Sequence, residues 1–154
     1  MDTTLKHDTI STTDTPADST AHAPVSEVAD LSEVRATALR LARLGLEKKA
    51  LDVTLLDVRG MASYTDFFVV MTAESDPQLF AIADHLEMTM KAEGRRPMSI
   101  EGLRAGQWVL LDYGDVVVHL FHADARAFYD IEGLWADARR ERIEDETPES
   151  VSEA

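Results

Sequence analysis

Apolar and polar positions change period several times along the chain, and each change predicts an element. Val34, Ala38, Leu41 and Gly45 recur at helical spacing behind a capping-box-like pair, Asp30 and Glu33, and so predict an opening helix. The run Leu51–Val58 alternates as a strand does and is ended by Arg59-Gly60. Asp66–Thr72 is short, β-branched and nearly continuously apolar, which suits a strand covered on both faces. Ser75-Asp-Pro-Gln78 is a capping box with proline in the first turn, and Leu79, Ile82, Ala83, Leu86 and Met90 then mark one side of a helix that Gly94 ends. Pro97–Ile100 predicts a short strand. Gln107–Asp112 and Asp115–Phe121 predict a hairpin closed by Tyr113-Gly114, followed by a helical turn over Ala123–Tyr129 and a last helix from about Ile131. The order α-β-β-α-β-β-β-α predicts a single α/β domain, a mixed β-sheet with helices packed on it.

The hairpin can be read residue by residue. With Tyr113 and Gly114 as the loop, Asp112 pairs with Asp115, Leu111 with Val116, Leu110 with Val117, Val109 with Val118 and Trp108 with His119. Alternation then gives two surfaces. Val109, Leu111, Val116, Val118 and Leu120 make an aliphatic face that belongs in a core. Trp108, Leu110, Asp112, Asp115, Val117, His119 and Phe121 make the other, which is aromatic and only partly polar. A solvated face would carry Lys, Glu or Thr, whereas a second core face would not normally carry two Asp and a His. Two readings follow. A helix covers this face, with Trp108 as a core aromatic; or the face docks a partner, because Trp and Tyr concentrate binding energy.

Composition sets the frame around this feature. A chain of 154 residues is one domain's worth. It has no cysteine, which excludes disulfides, zinc-thiolate sites and thiol nucleophiles. Residues 1–29 and 143–154 are acidic and poor in large apolar side chains, so they are expected to be disordered tails around a folded unit spanning 30–142. The net charge of −14 resides mostly in those tails; residues 31–142 hold 18 acidic and 14 basic side chains, a net of −4. Without a basic stripe, tight or sequence-specific nucleic-acid binding is not expected. No signal-peptide core, transit-peptide composition or membrane-length apolar run is present, and the chain reads as soluble and cytoplasmic.

Candidate chemistry is sparse. His119 and His122 form H-x-x-H, but an odd separation in a strand sends them to opposite faces, a poor arrangement for a metal. Asp112 and Asp115 across the turn could hold a divalent ion or share a proton, although aspartates also flank tight turns for backbone reasons. Ser75 is accounted for as a cap, and no Gly-rich phosphate loop occurs. Nothing assembles a nucleophile, a base and oxyanion donors, so neither catalysis nor a cofactor is expected.

Asp66–Thr72, Ser75-x-x-Gln78, Ile82-Ala-Asp84, Glu101-Gly102, Trp108–His119 and Phe128-Tyr-Asp-Ile-Glu-Gly-Leu-Trp135 resemble, in order and spacing, the ribosomal silencing factor family, also called the Iojap family. The resemblance spans about residues 33–137. It departs at Thr72-Ala73-Glu74, where the family often has Thr-Gly before the capping Ser. It implies a domain similar to the nucleotidyltransferase fold without that superfamily's Gly-Ser and paired-Asp signature. It also implies binding to the large-subunit ribosomal protein numbered fourteen, steric blocking of subunit joining and repression of translation when nutrients are scarce. Organelle members are linked to large-subunit assembly, and homodimers occur in the free state. The family position matching Trp108 lies in the ribosomal-protein contact surface. The expected partner-binding set is therefore Trp108, Leu110, Asp112, Tyr113, Asp115, Val117, His119 and Phe121.

Overall fold

The computed structural model describes residues 32–145. The chain divides into two units, Met1–Glu33 and Val34–Ala154, and only Ser32 and Glu33 of the first are described. Asp30, the expected N-terminal tail and all but the first three residues of the expected C-terminal tail lie outside the described residues. Helix α1 (32–47) buries Val34, Ala38, Leu41 and Gly45, the stripe that its spacing predicts, and Leu44 beside them.

Strand β1 (Leu51–Asp57) follows, with a bulge between Leu51 and Thr54 where Asp52 takes φ +49°. Strand β2 (Phe67–Ala73) is buried at every position, as its continuous apolar run requires. Helix α2 (Asp76–Ala92) starts where the capping box places it. The Ser75 hydroxyl accepts from Gln78 N at 3.2 Å, and Gln78 Oε1 accepts from Glu74 N at 2.7 Å. The other end of that carboxamide donates to the carbonyls of Lys48 and Lys49, which ties the helix start to the end of α1.

Strands β3 (Ser99–Glu101), β4 (Trp108–Asp112) and β5 (Val116–His122) come next, then helices α3 (Ala123–Tyr129) and α4 (Ile131–Leu134), and strand β6 (Arg139–Arg142). The described residues form a six-stranded sheet in the order β3-β4-β5-β2-β1-β6. Only β2 and β5 pair in parallel, which the crossover through α2, β3 and β4 permits. Helices α1 and α2 pack on one face, over Val53, Leu55, Val69, Met71, Val109, Leu111, Val118 and Leu120. The opposite face, built on Leu56, Phe68, Val70, Val117 and Phe121, is covered by Ala125 of α3, Ile131 of α4 and the following Ala138.

Two expectations are corrected here. The last helix is only four residues long, and the chain after it forms β6, antiparallel to β1 from Thr54↔Arg142 to Asp57↔Arg139. Arg-Arg-Glu-Arg has no apolar periodicity, so nothing in its pattern signals a strand; its side chains are all exposed and only its backbone is paired. Ordered packing also continues one residue past the expected boundary: Ile143 is buried, and its N–H donates to Val53 O at 2.8 Å.

The hairpin register differs as well. Trp108 pairs with Phe121, Leu110 with His119 and Asp112 with Val117. Tyr113 N donates to Val116 O at 2.9 Å, so the two turn residues are Gly114 and Asp115. Gly114, at φ +90°, supplies the positive φ that a two-residue hairpin needs at its first central position, a place Tyr113 would fill badly. The slip is by two residues, so every side chain keeps the face that alternation assigned to it.

Gly102 fixes the entry to β4. It has φ +91°, and a Cβ there would lie 2.0 Å from Trp108 O. Gly102→Ala is expected to lower the unfolding free energy by at least about 2 kcal/mol, from left-handed strain plus a backbone clash. Urea denaturation measures it; a loss under about 0.5 kcal/mol would show that the close approach is not a constraint.

Candidate functional site

The second sheet face divides according to which strand a residue occupies. Helix α3 packs on β5 and β2. Strand β4 lies one place further out, at the margin of that cover, and is followed only by the three-residue edge strand β3. Val117, His119 and Phe121 on β5 are therefore buried, whereas Trp108, Leu110 and Asp112 on β4 are half-buried. The covering reading holds for the β5 half, which is core, whereas the β4 half reaches the surface.

Four residues of the expected contact set thus present no surface: Val117, His119, Phe121 and Tyr113. Tyr113 follows β4 and packs in the cluster under α1 and α2, where burial pushes its hydroxyl up to about 12. Asp112 and Asp115 are not cross-strand partners, because the turn lies one residue later than expected. Asp112 Oδ1 accepts from Gly114 N at 2.8 Å, whereas Asp115 Oδ1 accepts from Arg95 Nη2 at 3.2 Å. Each carboxylate is engaged separately, which removes the geometry of a shared ion site. His119 and His122 lie apart as alternation requires: His122 is the N-cap of α3, its Nδ1 3.5 Å from Asp124 N.

Residues missed in the sequence enlarge the surface half. Tyr129 of α3 lies against Trp108, ring centroids 4.7 Å apart, and Phe128 meets Tyr129 edge-on at 5.0 Å. Phe128 is 80% exposed. On the other side Tyr64, also exposed, contacts Phe68 and is near enough to Asp112 for the carboxylate to help hold its hydroxyl up, after burial. An aromatic strip therefore runs from Tyr64 past Asp112, Leu110 and Trp108 to Tyr129 and Phe128. Isolated exposed apolar residues are ordinary, whereas several gathered along one margin make a candidate interaction surface. The short apolar-aromatic helix after the hairpin carried the signal; its spacing did not show which rings stay uncovered.

The strip's geometry depends on an arginine that no motif announced. Arg126 of α3 donates to Asp52 O at 2.7 Å and Thr72 Oγ1 at 2.8 Å. It also grips Glu132 of α4 with two bonds, Nη2···Oε2 2.5 Å and Nε···Oε1 3.2 Å. That pairing holds the Glu132 carboxyl below its ordinary range. One side chain thus joins α3, α4, the β1 bulge and β2.

His119 is the interior member of the site. Its Nδ1 accepts the Trp108 indole N–H at 3.1 Å, and Phe68 lies edge-on to it with centroids 4.5 Å apart. Burial pushes the imidazole down to about 4, so it is neutral at neutral pH.

Among the described residues, no three His, Cys, Asp or Glu side chains group as metal ligands would, and no helix is long and apolar enough to cross a membrane. The candidate site is an aromatic surface with one carboxylate at its rim, a composition suited to contact with another macromolecule. Comparison with known proteins gives the class a family. The model of the family described as "ribosomal silencing factor during starvation" matches residues 31–154, and the chain belongs to that family. It is 41% identical over 98 residues to the ribosomal silencing factor RsfS of Halalkalibacterium halodurans, covering 64% of this chain and 84% of the relative. It is 36% identical over 116 residues to the chloroplastic protein Iojap of Arabidopsis thaliana, covering 75% of this chain and 48% of that one. Two crystal structures share the fold. One is of a Chromobacterium violaceum protein (TM-score 0.61, 33% identity, 68% of this chain and 85% of that one). The other is of a Bacillus halodurans protein (TM-score 0.59, 35% identity, 74% and 99%).

The buried histidine generates a pH dependence. The unfolded chain takes up a proton near pH 6.5, whereas the folded chain does so only near 4. Stability is therefore lost as pH falls through this window, by about 3 kcal/mol in all. His119→Leu is expected to lack that component, so its stability relative to wild type rises between pH 7 and 4. Chemical denaturation across that range measures it; parallel curves would refute the assignment.

Proposed function

We propose that this protein is a ribosomal silencing factor that docks on the large-subunit ribosomal protein numbered fourteen and sterically blocks joining of the small subunit. It would thereby repress translation when nutrients are limiting. The observation that supports this most is the aromatic strip over β4 and α3, found in a chain of this family. Trp108 supplies a half-buried aromatic anchor, Phe128 and Tyr64 supply exposed area, and Asp112 gives the rim a negative charge. This is the composition of a protein contact: aromatic at the centre, charged at the edge.

Electrostatics support a protein partner over bare RNA. The stretch 31–142 carries a net charge of −4, and the strip includes no lysine or arginine. A factor docking through this strip reaches a ribosome by binding one of its proteins, because the strip has no cationic side chain to displace counterions from phosphates. Once anchored, its bulk obstructs the opposing subunit. Exclusion of that kind needs no nucleophile, metal or cofactor, and the protein acts as a regulator, not as an enzyme.

Co-sedimentation with purified large subunits tests the reading. Wild type is expected to pellet with large subunits and to lower the fraction of joined ribosomes. Phe128→Asp, at an exposed site, should weaken binding at least about tenfold while leaving the melting midpoint unchanged; Trp108→Glu should abolish it. Wild-type pelleting by both variants would place the contact elsewhere.

A further inference from the structure

The Trp108–His119 pair raises a question that packing alone does not answer. Because His119 Nδ1 accepts the indole N–H, the proton of the neutral imidazole sits on Nε2. That Nε2 is buried and has no hydrogen-bond partner. Its nearest aromatic neighbour, the Phe68 ring at 74° to it, can offer only a weak N–H···π contact. An aliphatic or phenyl side chain would remove the orphaned Nε2 donor but would leave the Trp108 indole N–H without its acceptor. What an apolar residue would not provide is the acceptor facing Trp108.

The indole's other contacts do not fix its orientation. Phe121 stacks on it with centroids 5.0 Å apart and planes 28° apart, and Tyr129 lies at 4.7 Å and 45°. Ring stacking sets a plane but is nearly indifferent to which edge of the indole points inward. The N–H···Nδ1 bond is directional and picks one edge. It turns the nitrogen towards the buried His119 and the benzo edge away from that histidine, on a side chain that is itself half-buried.

We infer that His119 is a positioning residue for Trp108: its Nδ1 locks the indole in the orientation that presents an apolar edge to the docked protein. The inference rests on the docking reading above and deepens it. The partner surface then meets a ring already ordered, so little rotamer entropy is lost on binding. It also needs no hydrogen-bond acceptor for the indole; the complementary patch is apolar.

Three measurements on the full-length chain test this. In 15N-labelled wild type, a through-hydrogen-bond 15N–15N coupling is expected between Trp108 Nε1 and His119 Nδ1, with His119 protonated on Nε2. His119→Leu should still fold cooperatively, exchange its indole proton faster and bind large subunits roughly five- to tenfold more weakly. His119→Asn, whose carboxamide oxygen can stand close to the Nδ1 position, should restore slow exchange and most of the affinity. Wild-type affinity in the Leu variant, equal losses in the Leu and Asn variants, or no coupling in wild type would each overturn the positioning role while leaving docking intact. Failure of wild type to bind large subunits would overturn the docking reading, and the role with it.

Discussion

The Arg126 guanidinium sets how far the second cover reaches across the sheet. It is only 12% exposed, and it ties α3 to α4 through Glu132 and both to the sheet through Thr72 and the Asp52 carbonyl. A pair this enclosed costs several kcal/mol to break, because either partner left alone is a charge with poor access to water. With α3 held over β5 and β2, its cover reaches β4 only at Tyr129 against Trp108. The half-buried state of Trp108 and Leu110 follows from that placement and from nothing in β4 itself. Asp52, at positive φ in the β1 bulge, takes part through its carbonyl.

Asymmetry of cover is what makes this fold suitable for contact. On the first face two long helices bury the central strands, and Leu111, Val118 and Leu120 are fully inaccessible there. On the second, two short helices suffice for the central strands only. The aromatic side chains at the margin are then supported from below by Phe121 and His119 and remain open from above. A margin of this kind combines rigidity with exposure, which is the condition for an anchor residue that binds without first paying to be ordered.

Much of this was legible in the sequence, and the failures share a cause. The Ser75 cap, the buried run of β2 and both hairpin faces were read correctly because each depends on local pattern alone. The hairpin register was set two residues off, because Tyr113-Gly114 and Gly114-Asp115 are both two-residue turns containing the glycine. Side-chain parity survived, so the faces did too. Strand β6 was missed because an exposed edge strand needs no apolar pattern, only a neighbour's backbone. The split of the candidate site into buried Val117, His119 and Phe121 and accessible Trp108, Leu110 and Asp112 was not readable, since it depends on where α3 lands. The Arg126 clamp joins residues up to 74 positions apart and leaves no local trace.

The central claim is that the margin formed by β4 and α3 is the surface that meets the large subunit. Hydrogen–deuterium exchange of the full chain, alone and saturated with large subunits, tests it without any substitution. Slower exchange is expected in peptides covering Trp108–Asp112 and Phe128–Trp135, with no change across Asp76–Ala92 of α2. Protection confined to α2 and β3, with the β4 and α3 peptides unchanged, would contradict the account.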